Sequence, residues 1–193
     1  MAEMAEEYPD VIFLHCSGYL KNDTNFGNYF GKMYQPRYLS GLAAGAMTES
    51  NKIGYVAAFP IPEVIRGINA FATGVKEVNP DATVEVVWTF TWFGPEAETQ
   101  AANALLETGV DVLAQHQDSP STGIAAEAAG AKWISYNTAY GQDAAPGAFV
   151  TAPVWDWGPY YVQVVESIVN DEFVAEAYWG GMETGLVLSL IHI

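Results

Sequence analysis

The aromatic rings and hydrogen-bonding groups suited to ligand recognition gather in six short stretches. These are His15-Cys16-Ser17-Gly18-Tyr19, Phe59, Trp92-Phe93, Gln115-His116-Gln117-Asp118-Ser119, Tyr136-Asn137-Thr138 and Trp155-Asp156-Trp157. Five of the six carry an aromatic ring, and most carry a hydrogen-bonding group beside it. Flat rings with a few carboxamides and carboxylates suit a planar, nitrogen-rich ligand: the rings stack on it while Asp118 and Asn137 read its donor and acceptor edge. For any single tryptophan a half-buried core position is the simpler reading; the recurrence of rings at equivalent places favours a ligand.

Catalytic patterns are scarce. No G-x-S-x-G elbow, Walker loop or G-x-G-x-x-G fingerprint occurs, so nucleotide-cofactor and hydrolase chemistry lose their main supports and no cofactor is expected. His15 and His116, with Cys16 and Asp118, are the residues from which a thiol site, a metal site or an acid–base pair would be built, but their spacing is not specific for any of these. Structural histidines are the better reading, and no metal is expected. A small α/β enzyme using His116 and Asp118 on such a planar ligand, and a cytoplasmic ligand-sensing module, remain the alternatives to a binding protein. Asn22-Asp23-Thr24 fits a glycosylation acceptor, a tripeptide common by chance.

Composition narrows the classes further. Half of the 193 residues are hydrophobic and 16% are charged, enough apolar material for a core. Asp and Glu number 23 against 7 Lys and Arg, a net charge of −16 that repels nucleic acid and anionic membranes. No run of ~20 apolar residues is present to span a bilayer. Cys16 is the single cysteine, which excludes an internal disulfide.

The six stretches need elements to position them, and helix and strand periods alternate along the chain. Strands are expected at 11–16, 52–58, from Val84 to Trp92, at 111–114, 132–136 and 149–152. Helices are expected from Tyr29 to Met47, from Pro62 through Val75, from Pro95 through Leu106, from Thr122 to Ala129 and over 158–169. Strands separated by helices pair in parallel, which predicts a doubly wound α/β sheet with ligands bound beyond the carboxyl ends of its strands, where the six stretches fall. Both termini look cut, and the apolar 185–193 reads as a truncated end or a foreign tail, with a final strand as the alternative.

The run from Asn51 to Phe71, NKIGYVAAFPIPEVIRGINAF, resembles the basic membrane protein (BMP, PnrA-like) family of ABC-transporter substrate-binding proteins. Thr91-Trp92-Phe93, Ala114-Gln115-His116 with Asp118-Ser119-Pro120, Tyr136-Asn137, Val154-Trp155 with Trp157-Gly158-Pro159-Tyr160-Tyr161, and Tyr178-Trp179-Gly180-Gly181-Met182 extend the resemblance in the family's order. It implies an α/β fold of the type I periplasmic-binding kind, two Rossmann-like lobes with parallel sheets, here truncated at both ends. Residues 1–50 would end the N-terminal lobe, 51–152 form the C-terminal lobe, 153–173 return to the first lobe and 174–193 begin the final crossover, its last residues being non-native.

The resemblance also implies a non-enzymatic solute-binding component of an ABC importer that holds a purine between its lobes and docks on a permease. It implies a periplasmic or extracytoplasmic lipoprotein, held to the membrane by an anchor this chain lacks. The ligand-binding positions it implies are Trp92, Asp118, Asn137, Trp155, Ser17, Gly18, Phe59, His116 and Trp179. Trp92 falls where a ring stacks on the base. Ser17 and Asn137 fall where nucleoside-binding members carry Asp, and Trp155 where they carry a Lys that reaches the ribose; these departures favour a bare nucleobase such as adenine.

Overall fold

The computed structural model describes residues 1–190; 191–193 lie outside the described residues, and with them His192 and part of the expected foreign tail. In chain order the elements are α1 (Ala2–Glu7), β1 (Phe13–Cys16), β2 (Phe26–Gly31), α2 (Tyr34–Met47), β3 (Lys52–Ala57), α3 (Pro62–Val78), β4 (Thr83–Trp88), α4 (Pro95–Glu107), β5 (Val112–His116), α5 (Ser121–Ala128), β6 (Lys132–Ile134), α6 (Gly141–Ala144), β7 (Phe149–Thr151), β8 (Pro153–Trp155), α7 (Gly158–Val169), β9 (Ala177–Gly180), a 3-10 turn (Met182–Thr184) and β10 (Val187–Ser189). They divide into two compact units. The smaller takes Met1–Lys32 and Asp156–Val187; the larger takes Met33–Trp155 and the chain from Leu188.

The larger unit is built on a five-stranded, all-parallel sheet in the order β4-β3-β5-β6-β7. Alternation along β3 sends Ile53, Tyr55 and Ala57 into one core with Val64, Ile68, Phe71 and Val75 of α3. Val56 goes to the other core, with Leu105, Leu113 and Trp133. Both faces of the sheet are therefore covered, as a parallel sheet requires. Helices α2 and α3 pack backbone to backbone. A Cβ on Gly41 would lie 2.0 Å from the Phe71 carbonyl oxygen, and one on Gly74 would lie 2.1 Å from that of Tyr38. In the same unit Leu190 donates its N–H to the Ala152 carbonyl beside β8 at 3.1 Å.

The smaller unit holds a three-stranded parallel sheet in the order β1-β2-β9. Buried Asn25 ties α1 to it by donating to the carbonyls of Ala5, Tyr8 and Val11 at 2.8–3.1 Å.

Three features depart from the periodicity. The helix expected from Tyr29 begins only at Tyr34, and Phe26–Gly31 is instead a mostly buried strand. Aromatic residues between glycines favour a pleated strand over a helix, and Gly27 lets β2 sit against the Glu176 carbonyl, 2.9 Å from where a Cβ would be. The strand expected to reach Trp92 stops at Trp88, because Thr89 and Phe90 turn back to donate to the carbonyls of Ala57 and Ala58 at 2.9 Å. The division between units falls after Lys32 rather than at residue 50, since the glycine contacts hold α2 against α3.

Candidate functional site

The carboxyl ends of β4, β3, β5 and β6 open on one side of the larger unit's sheet, and the loops there are tied to one another. Gln115 is buried on β5: its amide nitrogen donates to the carbonyls of Gln117 and Ser119 at 3.0 and 2.7 Å, and its amide oxygen accepts from the Trp133 indole at 3.0 Å. Fully buried Glu98 accepts from the Gly94 N–H at 3.0 Å and from the Ser119 hydroxyl at 2.5 Å, joining the loops after β4 and β5. The Asp118 N–H donates to the Trp92 carbonyl at 2.9 Å. A rigid framework therefore places the polar tips.

The segments after β5 and β6 line an open cavity of about 290 Å³, with Gln117, Asp118, Ser135, Tyr136, Asn137 and Tyr140 among its walls. That is at the lower end of the usual range for small-molecule pockets, about 300–1,000 Å³. Burial raises the Asp118 carboxyl above its ordinary value of 3.8. Asn137 holds a left-handed backbone, φ 55°, a conformation asparagine tolerates better than most residues. Phe90, in the loop after β4, is also left-handed at φ 55°, which for a bulky residue marks stored strain beside the site.

A ladder of rings runs beside the cavity. Phe59 and Trp92 lie 5.5 Å apart, Trp92 and His116 5.9 Å, and His116 and Tyr136 4.6 Å, centroid to centroid. Beneath Tyr136 stands Arg37 of α2, only 1% exposed, its guanidinium 4.9 Å from the ring centroid. Arg37 donates to the Gln115 carbonyl at 3.1 Å and to the Asn137 amide oxygen at 3.5 Å. No carboxylate of the described residues comes within 4.0 Å of its guanidinium. Burial first, and the Arg37 charge second, push the His116 imidazole well below 6.5, so it is neutral at physiological pH.

The structure thus brings Asp118 and Asn137 to one cavity, with His116, Trp92 and Phe59 ranged beside it. Trp155 does not line that cavity: it ends β8, which pairs with β10 and not with the five-stranded sheet. The wall expected of Trp155 is formed there by Tyr136. The acid–base pair imagined between His116 and Asp118 is not formed either. The imidazole is buried, and among the described residues the only carboxylate within 4.0 Å is that of Glu63, at 3.8 Å.

The remaining candidates belong to the smaller unit. Ser17 is left-handed at φ 59° and donates its N–H to the Tyr29 carbonyl at 2.9 Å. Gly18 lies against the His15 ring, which a Cβ would approach to 2.3 Å. Trp179 lies 5.8 Å from Phe30 and keeps 42% of its surface exposed. The same unit carries a run of stacked rings, Tyr29 on Tyr160 at 4.9 Å and Tyr160 on Tyr178 at 4.4 Å. Burial first, then the charge of Glu176, pushes the Tyr160 hydroxyl up to about 12. Cys16 is exposed and in no disulfide, and no cluster of His, Cys, Asp and Glu among the described residues is placed to hold a metal.

Arg37 was not among the expected site residues because it lies within a helix and not in a loop beyond an expected strand. A lone cation in an apolar, small-residue stretch of a chain with only 7 basic residues was the available signal.

The model of the ABC transporter substrate-binding protein PnrA-like family, Bmp, matches residues 1–190. The chain is 49% identical over 186 residues to the putative ABC transporter glucose-binding protein TsgA13 of Haloferax volcanii, covering 96% of this chain and 47% of that protein. It is 38% identical over 190 residues to the purine-binding protein BAB2_0673 of Brucella abortus, covering 96% of this chain and 52% of the relative. It spans about half the length of these curated relatives. An ABC-transporter solute-binding protein from Conexibacter woesei, 24% identical, superposes with a TM-score of 0.78 over 97% of this chain and 63% of that one. The fold is that of the type I periplasmic binding proteins. With the family model matched along almost its whole length, the chain belongs to the Bmp family, the PnrA-like substrate-binding proteins of ABC transporters, a family of binding proteins and not of enzymes.

Proposed function

We propose that this chain is part of the solute-binding component of an ABC importer, and that its ligand is a purine nucleobase of the adenine kind. One observation carries the reading: a carboxylate, Asp118, and a carboxamide, Asn137, line the same small cavity as the Tyr136 ring. A flat heterocycle laid on that ring has its hydrogen-bonding edge toward the two polar tips, and each base–aromatic stack contributes ~1–3 kcal/mol. Phe59, Trp92 and His116, ranged beside that cavity, are proposed as further contributors to binding. The 38%-identical relative is named as purine-binding. A bare base is favoured over a nucleoside because the family resemblance puts Trp155, and not a ribose-reaching Lys, at that position of the chain. The proposed partner is an ABC permease, the location extracytoplasmic, and the attachment a lipid anchor.

A second reading, a monosaccharide, is favoured by the 49%-identical relative, which is named as glucose-binding. Titrating the protein with adenine, adenosine and D-glucose while following tryptophan fluorescence separates the readings. Adenine is expected to bind most tightly. Tighter adenosine binding reverses the nucleobase assignment, and saturation by glucose without any response to adenine overturns the purine reading.

A further inference from the structure

Three carboxamides line the cavity. Gln115 is bonded at both ends within the protein, and Gln117 and Asn137 each have one end claimed by a neighbour that can act in only one sense. A guanidinium has donors and no acceptor, so the end of Asn137 that faces Arg37 at 3.5 Å is its oxygen, and the –NH2 is left to serve a ligand. At Gln117 the neighbour is the Thr89 hydroxyl. That hydroxyl has a single proton, directed to the carbonyls of Ala57 and Thr91 at 3.3 and 3.2 Å, so it meets Gln117 as an acceptor and takes the amide N–H. The Gln117 oxygen is left over. It is a buried acceptor with no hydrogen-bond partner, on a residue 1% exposed that lines the cavity.

A buried, unpaired carbonyl oxygen costs free energy unless something fills it. We propose that Gln117 is a ligand-reading residue and that the cavity presents two oppositely locked carboxamides, Gln117 as acceptor and Asn137 as donor, with Arg37 and Thr89 as the positioning residues that lock them. The matching ligand is a neutral planar heterocycle carrying a donor and an acceptor on adjacent atoms of one edge. On the purine reading, on which this rests, the amino group of adenine donates to the Gln117 oxygen and an adjacent ring nitrogen accepts from the Asn137 amide.

The test titrates adenine, purine (adenine without the amino group), 1-deazaadenine and 7-deazaadenine, the last two each lacking one ring acceptor beside that group. The wild-type chain is compared with Gln117→Met, Asn137→Asp and Arg37→Met. In the wild type, adenine is expected to bind about tenfold more tightly than purine and than one of the two deaza compounds, the loss for one buried hydrogen bond left unmade. Gln117→Met removes the preference over purine and leaves the deaza preference. Asn137→Asp keeps Arg37 paired but replaces the donor by an acceptor, so that the deaza preference reverses in sign. Arg37→Met frees the Asn137 amide to turn and brings the deaza ratio toward one without changing the purine ratio; if it fails to fold, Asn137→Asp still decides the point. Adenine binding with no discrimination among the four compounds, or a Gln117→Met protein that retains the preference over purine, overturns the inference and leaves the purine reading standing. No response to any of the four removes both.

Discussion

Replacing Gly41 by alanine should destabilise the larger unit and weaken its site together. The new Cβ would stand 2.0 Å from the Phe71 carbonyl oxygen and 2.9 Å from its carbon, both backbone atoms that no rotamer change can move. Helix α2 must retreat from α3 by about 1 Å to reach tolerable contact, at the upper end of the overpacking range, about 3 kcal/mol. Alanine's better helix propensity returns about 1 kcal/mol, leaving a net loss of about 2 kcal/mol and, for a chain of this size, a melting point lower by about 4–8 °C. Arg37 lies one turn earlier on α2 and reaches the Gln115 carbonyl at 3.1 Å, so the same retreat loosens its hold on Asn137. Gly67→Ala is the matched control on α3. Its Cβ would meet Arg37 and His116 at 3.6–3.9 Å, ordinary contact, so only the propensity gain of up to about 1 kcal/mol remains. Thermal and urea unfolding followed by circular dichroism read the sign of both changes. A Gly41→Ala protein as stable as the wild type would refute the backbone-to-backbone packing on which the position of Arg37 depends.

Three further outcomes follow from the charges and hydrogen bonds. Burial raises Asp118 above 3.8, and its ionised form is the acceptor, so ligand affinity should fall as pH drops through that raised value; Asp118→Asn should flatten the pH profile measured by calorimetric titration. His116 is held well below 6.5 in the folded chain, so the unfolded chain binds the extra proton and stability should fall as pH is lowered below 6.5, by up to ~1.4 kcal/mol per pH unit; His116→Phe should reduce that slope in urea titrations between pH 6.5 and 5. Asp111 is opposed by burial but held below 3.8 on balance by accepting from the Thr48 hydroxyl and the N–H groups of Ser50 and Glu49 at 2.6–2.7 Å; Asp111→Ala should cost about 1–2 kcal/mol at neutral pH and progressively less as pH falls through the depressed value, read by the same unfolding titrations.

How far the sequence reaches depends on the range of the interaction. The regular alternation of buried strands with amphipathic helices is local, and the spacing of Val64, Ile68, Phe71 and Val75 marks α3 on sight. Once strands and helices alternate, loops suited to ligands lie beyond the strands' carboxyl ends, which is why the loop positions of Asp118 and Asn137 after β5 and β6 were legible without coordinates. Phe26–Gly31 was not, because its strand character comes from burial between β1 and β9 and not from any period of its own. From the sequence Trp155 reads as the loop beyond a last strand at 149–152, whereas it lies on a further short strand whose pairing with β10 is a long-range choice. Arg37 joins Tyr136 and Asn137 through contacts spanning about a hundred residues, and no local pattern reports those.

The most direct measurement is a crystal structure of the chain grown with adenine. The base should lie against Tyr136 with its polar edge within hydrogen-bond distance of Asn137 and of Gln117 or Asp118. Adenine bound away from these side chains, or a cavity left vacant at saturating adenine, would contradict the assignment.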